Sequence, residues 1–278
     1  ATDNAAGLAH PAQQQRSDAT VVAANCARAQ EALRVLEEFG RSCDPELARV
    51  AEHCRYRLYD LETRLLADQS RRQRLAAERL YLITSPVPQL RSVVEQALQA
   101  GVKLVQHRSK LTDDLPRYQE AVALRDLCAA HGALFIVNDR VDLALAVEAD
   151  GVHLGQGDLP PAQARRLLGP DRLIGRSTHA PAQLQQAMAD GCDYAGVGPL
   201  QATPTKPGRE PVGLDYLRQA AQIATIPHYA IGGVDVQLLP ALLEAGGPHC
   251  RVAVVRAVME AADPAAAARQ LLELLADG

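Results

Sequence analysis

The stretches of this 278-residue chain best equipped for chemistry are short and sit where apolar runs end. One is Gln106-His107-Arg108-Ser109-Lys110. In an extended segment alternate side chains share a face, which groups Gln106, Arg108 and Lys110: one neutral hydrogen-bonding group and two cations. Arg grips a phosphate through two bonds and Lys adds a point charge. An anionic ligand is one reading; a solvated basic strand end is the other. Carboxylates come from Asn138-Asp139-Arg140 and Gly155-Gln156-Gly157-Asp158. These close adjacent apolar runs, and neighbouring strands lie about 4.8 Å apart, so Asp139 and Asp158 could approach one ion. Two carboxylates without Cys or clustered His suit a hard cation such as Mg²⁺, which keeps several waters and adds substrate phosphates. Either Asp alone would read as a helix cap or a surface ion pair.

Ser177, in Gly175-Arg176-Ser177-Thr178-His179, is a small donor at a strand end. No Asp lies in a triad-like pattern nearby, so a nucleophilic serine is a poor reading. His179 suits an acid or base or, the preferred reading, an ordinary loop histidine, and His153 reads as a packed core histidine. The stretch from Gly198 to Gly208 holds three prolines, two glycines, the hydroxyls of Thr203 and Thr205 flanking Pro204, and Lys206. Such stiffness around hydroxyls and a cation suits an anionic ligand and a loop that closes over it. Gly232-Gly233 would let a phosphate approach backbone N–H groups, and Val255-Arg256 ends the last apolar run. Two anionic sites emerge: a diphosphate site with a metal, Arg108, Lys110 and Lys206, and a monophosphate site near Gly233. No side chain is a convincing nucleophile. Displacement of diphosphate by a second bound substrate is the natural expectation.

The elements that position these residues repeat. Eight β-rich runs, Leu80–Thr84, Lys103–Arg108, Leu134–Asp139, Gly151–Leu154, Leu173–Ser177, Tyr194–Gly198, His228–Gly232 and Arg251–Val255, alternate with helical segments. Eight such units in roughly 200 residues predict a small parallel (β/α)₈ TIM barrel, with its active site in the loops after the strands, over the alternative of an open doubly wound sheet. Ahead of it, residues 1–17 read as a polar tail. Two amphipathic helices follow, one over Ala19 to Arg41 with Val22, Cys26, Ala29, Leu33 and Leu36 on a stripe. The other covers residues 45–66 with Leu47, Val50, Cys54, Leu58 and Leu61. Arg71 to Arg79 reads as a charged linker. The division is therefore a helical extension over 1–78 and a catalytic barrel over 79–278. The extension's stripes would pack on the barrel or, alternatively, mediate self-association into a homo-oligomer or contact with another pathway enzyme.

Composition narrows the function. Hydrophobic residues make up 47% and aromatics 3%, which predicts an aliphatic core. A formal net charge of −4 argues against a nucleic-acid partner and fits small phosphorylated substrates. Six cysteines without CxxC spacing read as reduced thiols. No signal pattern and no apolar run of about 18 residues is present, so no membrane partner and a cytoplasmic location are expected.

The segments LYLITSP, QHRSK, NDRVDLALAVEADGVHLGQGDLP, DYAGVGPLQATPTKPG and AIGGV, in that order, resemble thiamine-phosphate synthases over about residues 80–278. The resemblance implies a transferase of thiamine biosynthesis. It joins 4-amino-5-hydroxymethyl-2-methylpyrimidine diphosphate to 4-methyl-5-(2-phosphoethyl)thiazole: diphosphate leaves first, and the thiazole nitrogen captures the pyrimidine methylene cation. By motif position, Gln106, His107, Arg108, Ser109, Lys110, Asn138, Ser177 and Lys206 would serve the pyrimidine diphosphate. Arg108, Lys110, Ser177 and Lys206 would assist its departure, and Asp139 and Asp158 would hold Mg²⁺. Thr203, Pro204, Thr205 and Gly233 would bind the thiazole phosphate, with Val255 and Arg256 completing that pocket. Family members often carry Ser where this chain has Arg256; Arg also binds phosphate. The extension over 1–78 resembles one seen in some cyanobacterial-type members. A thiazole tautomerase of the same lineage would need only the thiazole phosphate pocket, and a regulatory barrel would not need the charged set; here that set is complete.

Overall fold

The computed structural model describes residues 18–202 and 210–277; residues 1–17, read above as a tail, and 203–209 lie outside them. Contacts divide the chain into two compact units, 1–70 and 71–278.

The second unit is a closed parallel barrel with its eight strands in sequence order. The strands are β1 (Leu80–Ile83), β2 (Leu104–His107), β3 (Leu134–Asn138), β4 (Gly151–Leu154), β5 (Leu173–Thr178), β6 (Tyr194–Val197), β7 (His228–Ile231) and β8 (Arg251–Val254). β8 pairs with β1 to close the ring. All eight predicted strands are present, within one or two residues at their ends. Each is buried on both faces, as a parallel strand between lumen and helices must be. In β1, Leu80 and Leu82 face the helical layer, while Tyr81 and Ile83 face inward; β3 splits the same way, Phe135 and Val137 against Leu134 and Ile136. The outer layer is built by helices such as α3 (Leu90–Gln99), whose Val93, Val94, Ala97 and Leu98 form one buried stripe.

The lumen departs from the predicted aliphatic core. Tyr81, Tyr194 and Tyr229 fill its middle, with ring centroids 5.2–5.8 Å apart in edge-on pairs. Scarce aromatics are concentrated where a ring spans the barrel and its hydroxyl still finds a partner. Gly175 makes the room: a Cβ there would lie 2.1 Å from Cζ of Tyr194.

The predicted linker is instead helix. α1 (Asp18–Cys43) is followed by α2 (Pro45–Ala77), whose last turns, from Arg71, belong to the barrel unit. Asp150 and Asp193 stand just before β4 and β6 and accept from the Phe135 and Ile174 N–H groups at 2.9 and 2.8 Å. Arg71 reaches Asp150 at 3.0 Å and Arg72 reaches Asp193 at 2.7 Å. Leu75 enters the lumen from below, where the Tyr229 hydroxyl donates to the carbonyls of Leu75 and Glu78. The arginine run reads as a linker because its partners are distant in sequence.

Within the first unit, the Asp44 carboxylate accepts from the Glu46 and Leu47 N–H groups and caps α2. Of the predicted stripes only Cys26 is fully buried in the inner seam, while Val22, Leu33, Leu47 and Leu58 are half-buried. Cys26, Gly40, Ala48 and Ala51 pack there beside a Glu37–Arg55 ion pair at 2.9 Å, and a Cβ on Gly40 would lie 2.8 Å from the Ala48 nitrogen. Backbones this close admit only small side chains, so Leu36, Val50 and Leu61 lie exposed. Among the described residues no helix is long and apolar enough to cross a membrane.

Candidate active site

A cavity of about 380 Å³ opens at the C-terminal ends of the strands. On one side it is lined by Gln106, Arg108, Asn138, His153 and Ser177, and on the other by Gly232, Gly233, Val255 and Arg256. Period-two alternation explains the first group: Gln106, Asn138, His153 and Ser177 each occupy an inward position near the top of a strand.

Gln106 is buried, and its Nε2 donates to the Tyr81 hydroxyl at 2.7 Å. Tyr81 and Tyr194 share a hydrogen bond of 2.8 Å, and Tyr194 lies 3.3 Å from Nδ1 of His153. The other ring nitrogen of His153 is 2.9 Å from Oγ of Ser177. The cavity floor is thus a continuous polar chain. His153 belongs to both readings: it packs in the lumen and it lines the site.

The stretch after β2 divides. The Arg108 N–H donates to the buried Thr84 hydroxyl at 2.9 Å, which fixes the backbone where its side chain joins the cavity wall. His107 is a correction to the binding set. As the residue between two inward positions it faces the helices, stacks on Phe135 and meets Glu120 at 2.8 Å. Burial holds its pKa below the usual histidine value. The strand ends at His107, so alternation does not carry Lys110 inward; Lys110 is exposed and lines an adjoining groove with Arg108 and Ser109. The Ser109 hydroxyl accepts from the Leu111 N–H at 3.2 Å and shapes that turn.

Asp139 has a positive φ of 62°, a left-handed conformation that Asp tolerates better than most residues. Its N–H donates to the His153 carbonyl at 2.8 Å, which ties the ends of β3 and β4. Backbone in this region is held at a cost and concentrates at functional sites. Arg140, beside it, is committed to Asp142 and Asp114 at 2.6 and 3.0 Å. Oδ2 of Asp158 accepts from the Gly155 N–H at 2.6 Å, which closes the loop after β4. Among the described residues no group of three or more His, Cys, Asp or Glu could hold a metal. A pair of carboxylates on adjoining strand ends still fits a cation that takes its remaining ligands from water and phosphate.

On the far side, Gly232 and Gly233 have φ of 104° and 73°. A Cβ on Gly232 would meet Cα of Pro199 at 2.6 Å, because the chain leaving β6 lies directly on the end of β7. Thr203, Pro204, Thr205 and Lys206 lie outside the described residues. The flanks of their loop meet at the cavity wall, where the Val212 N–H donates to the Pro199 carbonyl at 2.8 Å. Arg256 begins a one-turn helix (Arg256–Met259) and lines the cavity.

Besides His153, three titratable lining residues stand outside the predicted site. His179 read as an ordinary loop histidine, yet it lines the cavity with Nδ1 against the Gly198 carbonyl. Asp235 and Glu260 add two acidic residues to the lining that holds Arg256. Asp235 follows Ala230-Ile231-Gly232-Gly233-Val234 directly, a signal that was available; Glu260 has none.

The family model described as thiamine monophosphate synthase matches residues 80–258. A second, the ThiD2 family, matches residues 1–64. A thiamine-phosphate synthase of Prochlorococcus marinus (strain MIT 9313) is 55% identical over 284 residues, covering 99% of this chain and 80% of that protein. One from Gloeobacter violaceus is 54% identical over 277 residues with the same coverage. Among solved structures, thiamine phosphate pyrophosphorylase from Pyrococcus furiosus is 33% identical with a TM-score of 0.67, covering 74% of this chain and 98% of its own. A 3-hexulose-6-phosphate synthase, at 20% identity and a TM-score of 0.50, shares the fold alone. A family model over more than half the chain, and relatives this close along nearly all of it, place the chain in the thiamine monophosphate synthase family.

Proposed function

We propose that the barrel joins 4-amino-5-hydroxymethyl-2-methylpyrimidine diphosphate to 4-methyl-5-(2-phosphoethyl)thiazole, forming thiamine phosphate and releasing diphosphate. The observation that carries this reading is the two-sided cavity: Gln106, Arg108, Asn138 and Ser177 face Gly233, Val255 and Arg256 across one space. Two anionic substrates can be held there with their reactive ends together, which converts a bimolecular step into one within a single site.

In this reading Gln106 and Asn138 orient the pyrimidine. Arg108 and the Ser177 hydroxyl meet the diphosphate, and Lys110 extends the positive rim beside Arg108. Lys206 would add a cation for the diphosphate, and Thr203 and Thr205 would serve the thiazole phosphate. Gly233, Val255 and Arg256 receive the thiazole phosphate. The C–O bond to diphosphate breaks first, its electron pair leaving with the oxygen, and the thiazole nitrogen lone pair then forms the new C–N bond. Cations and donors fixed around the departing oxygens lower the barrier because the charge develops where they already point. Asp139 and Asp158 would hold Mg²⁺, which supplies further charge neutralisation for the diphosphate.

The test is direct product formation. The protein is incubated with both phosphorylated precursors and Mg²⁺, oxidised, and read by thiochrome fluorescence, with EDTA in a parallel sample. Product that disappears with EDTA is expected. Binding of the thiazole phosphate without product would overturn the reading.

A further inference from the structure

We propose that Tyr81, Tyr194 and His153 form a directional hydrogen-bond relay coupling Gln106 to Ser177, with Tyr194 acting as a positioning residue for the Ser177 hydroxyl. The role given to Ser177, facing the leaving diphosphate, rests on the reaction proposed above.

The direction follows from where each hydrogen can go. Tyr81 and Tyr194 are 1% and 0% exposed, shielded from bulk solvent, and their hydroxyls bond to each other and to Gln106 and His153. Burial raises the pKa of both, and they remain neutral donors. Gln106 Nε2 donates to the Tyr81 oxygen. The Tyr81 hydrogen is then directed to the Tyr194 oxygen, 2.8 Å away. Tyr194 in turn directs its hydrogen to Nδ1 of His153, which leaves the imidazole proton on Nε2. That proton points at Oγ of Ser177, 2.9 Å away. With its oxygen accepting, Ser177 turns its own hydrogen into the cavity as a donor. A diphosphate oxygen only accepts, so this polarity matches the leaving group. The opposite polarity would flip the Gln106 amide and spend the Ser177 hydrogen on His153. The relay therefore links how the pyrimidine end presents its amide to whether the diphosphate end can donate. Its geometry is held by packing: Gly175 leaves the space in which the Tyr194 ring lies, and no other residue type would.

Tyr194→Phe keeps the ring and deletes the oxygen. Nδ1 of His153 then loses the Tyr194 hydroxyl, the proton can move to Nδ1, and Ser177 can turn inward. We expect kcat to fall about tenfold or more, the scale of one lost hydrogen bond to a charged oxygen, with KM for the pyrimidine diphosphate within about twofold. Because Tyr194 acts through Ser177, the effect should vanish in a Ser177→Ala background. Tyr229→Phe is the control: its hydroxyl bonds at the opposite mouth, so melting temperature should fall while kcat stays. If Tyr194→Phe does not fold, Tyr81→Phe takes its place and removes the donor that sets the direction of the Tyr194 hydroxyl; kcat should then fall by a smaller factor that also vanishes in the Ser177→Ala background. Wild-type turnover with full kcat in the folded variant overturns the relay alone. So does an undiminished loss in the Ser177→Ala background, or an equal loss of kcat in Tyr229→Phe. Absence of product from the wild type overturns the reaction and the relay's role together.

Discussion

Gly175→Ala adds one methyl group inside the barrel, and its effect can be worked from the packing. The backbone at Gly175 is ordinary strand, so steric contact decides. The new Cβ would lie 2.1 Å from Cζ and 2.5 Å from both Cε2 and the hydroxyl oxygen of Tyr194. Carbon atoms rest about 3.5–4.0 Å apart, so the ring must retreat by more than about 1 Å. It has no free direction: Tyr81, Tyr229 and His153 surround it with centroids at 5.7, 5.8 and 5.5 Å. Overpacking of this kind costs about 1–3 kcal/mol. Displacing the hydroxyl from Tyr81 and His153 adds about 1 kcal/mol for each bond. The sum is about 3–5 kcal/mol. At roughly 2–4 °C per kcal/mol for a domain of this size, the melting temperature should drop by roughly 6–20 °C. Tyr194→Phe in the same chain should not restore it, because the clash is with ring carbon. Tyr194→Leu should restore part of the stability while turnover stays low. Thermal denaturation by circular dichroism, run beside the thiochrome assay, reads both. A Gly175→Ala protein that melts within about 2 °C of wild type and turns over normally would refute the argument that this glycine exists to seat the ring.

Other perturbations follow from the same structure. Asp139→Asn keeps a residue tolerant of the left-handed backbone but removes a charge. Turnover should fall at least about a hundredfold with the melting temperature unchanged, and a normal rate at saturating Mg²⁺ would remove Asp139 from the ion site. Lys206→Ala should likewise depress turnover in a folded protein, and an unaltered rate would exclude that side chain. Asp193 is almost fully buried and holds Arg72, Arg165 and the Ile174 N–H. Asp193→Ala should destabilise by about 3 kcal/mol, measured by urea denaturation; less than about 1 kcal/mol would show that Arg72 and Arg165 find other partners. His107 and His228 have pKa values lowered by burial. The unfolded chain therefore takes up protons first as pH falls. Stability is full above about pH 6.5 and declines below it by up to about 1.4 kcal/mol per pH unit for each histidine. The double variant His107→Gln/His228→Gln should flatten this acid slope, and an unchanged slope would refute the assignment.

Most of the barrel was legible from local pattern. Eight apolar runs with helical spacers admit few arrangements, and the inward positions of Gln106, Asn138 and Ser177 follow from alternation alone. The same rule, applied strictly, would have turned His107 outward. It would also have stopped at Arg108, because nothing beyond the strand keeps a period of two. The role of the arginines in α2 is not legible locally, because their carboxylate partners, Asp150 and Asp193, lie some 80–120 residues on.

By itself the sequence determined the strand count, the order of the site-bearing loops and the identity of the cations and carboxylates. These depend on residue type and short-range spacing. Only the tertiary structure decided that Tyr81, Tyr194 and His153 meet beneath the cavity, that Gly175 serves Tyr194, and that Asp235 and Glu260 reach its wall. Those relations join residues from different strands through the closure and stagger of the barrel, and no local period along one chain encodes which inward side chains arrive at the same height.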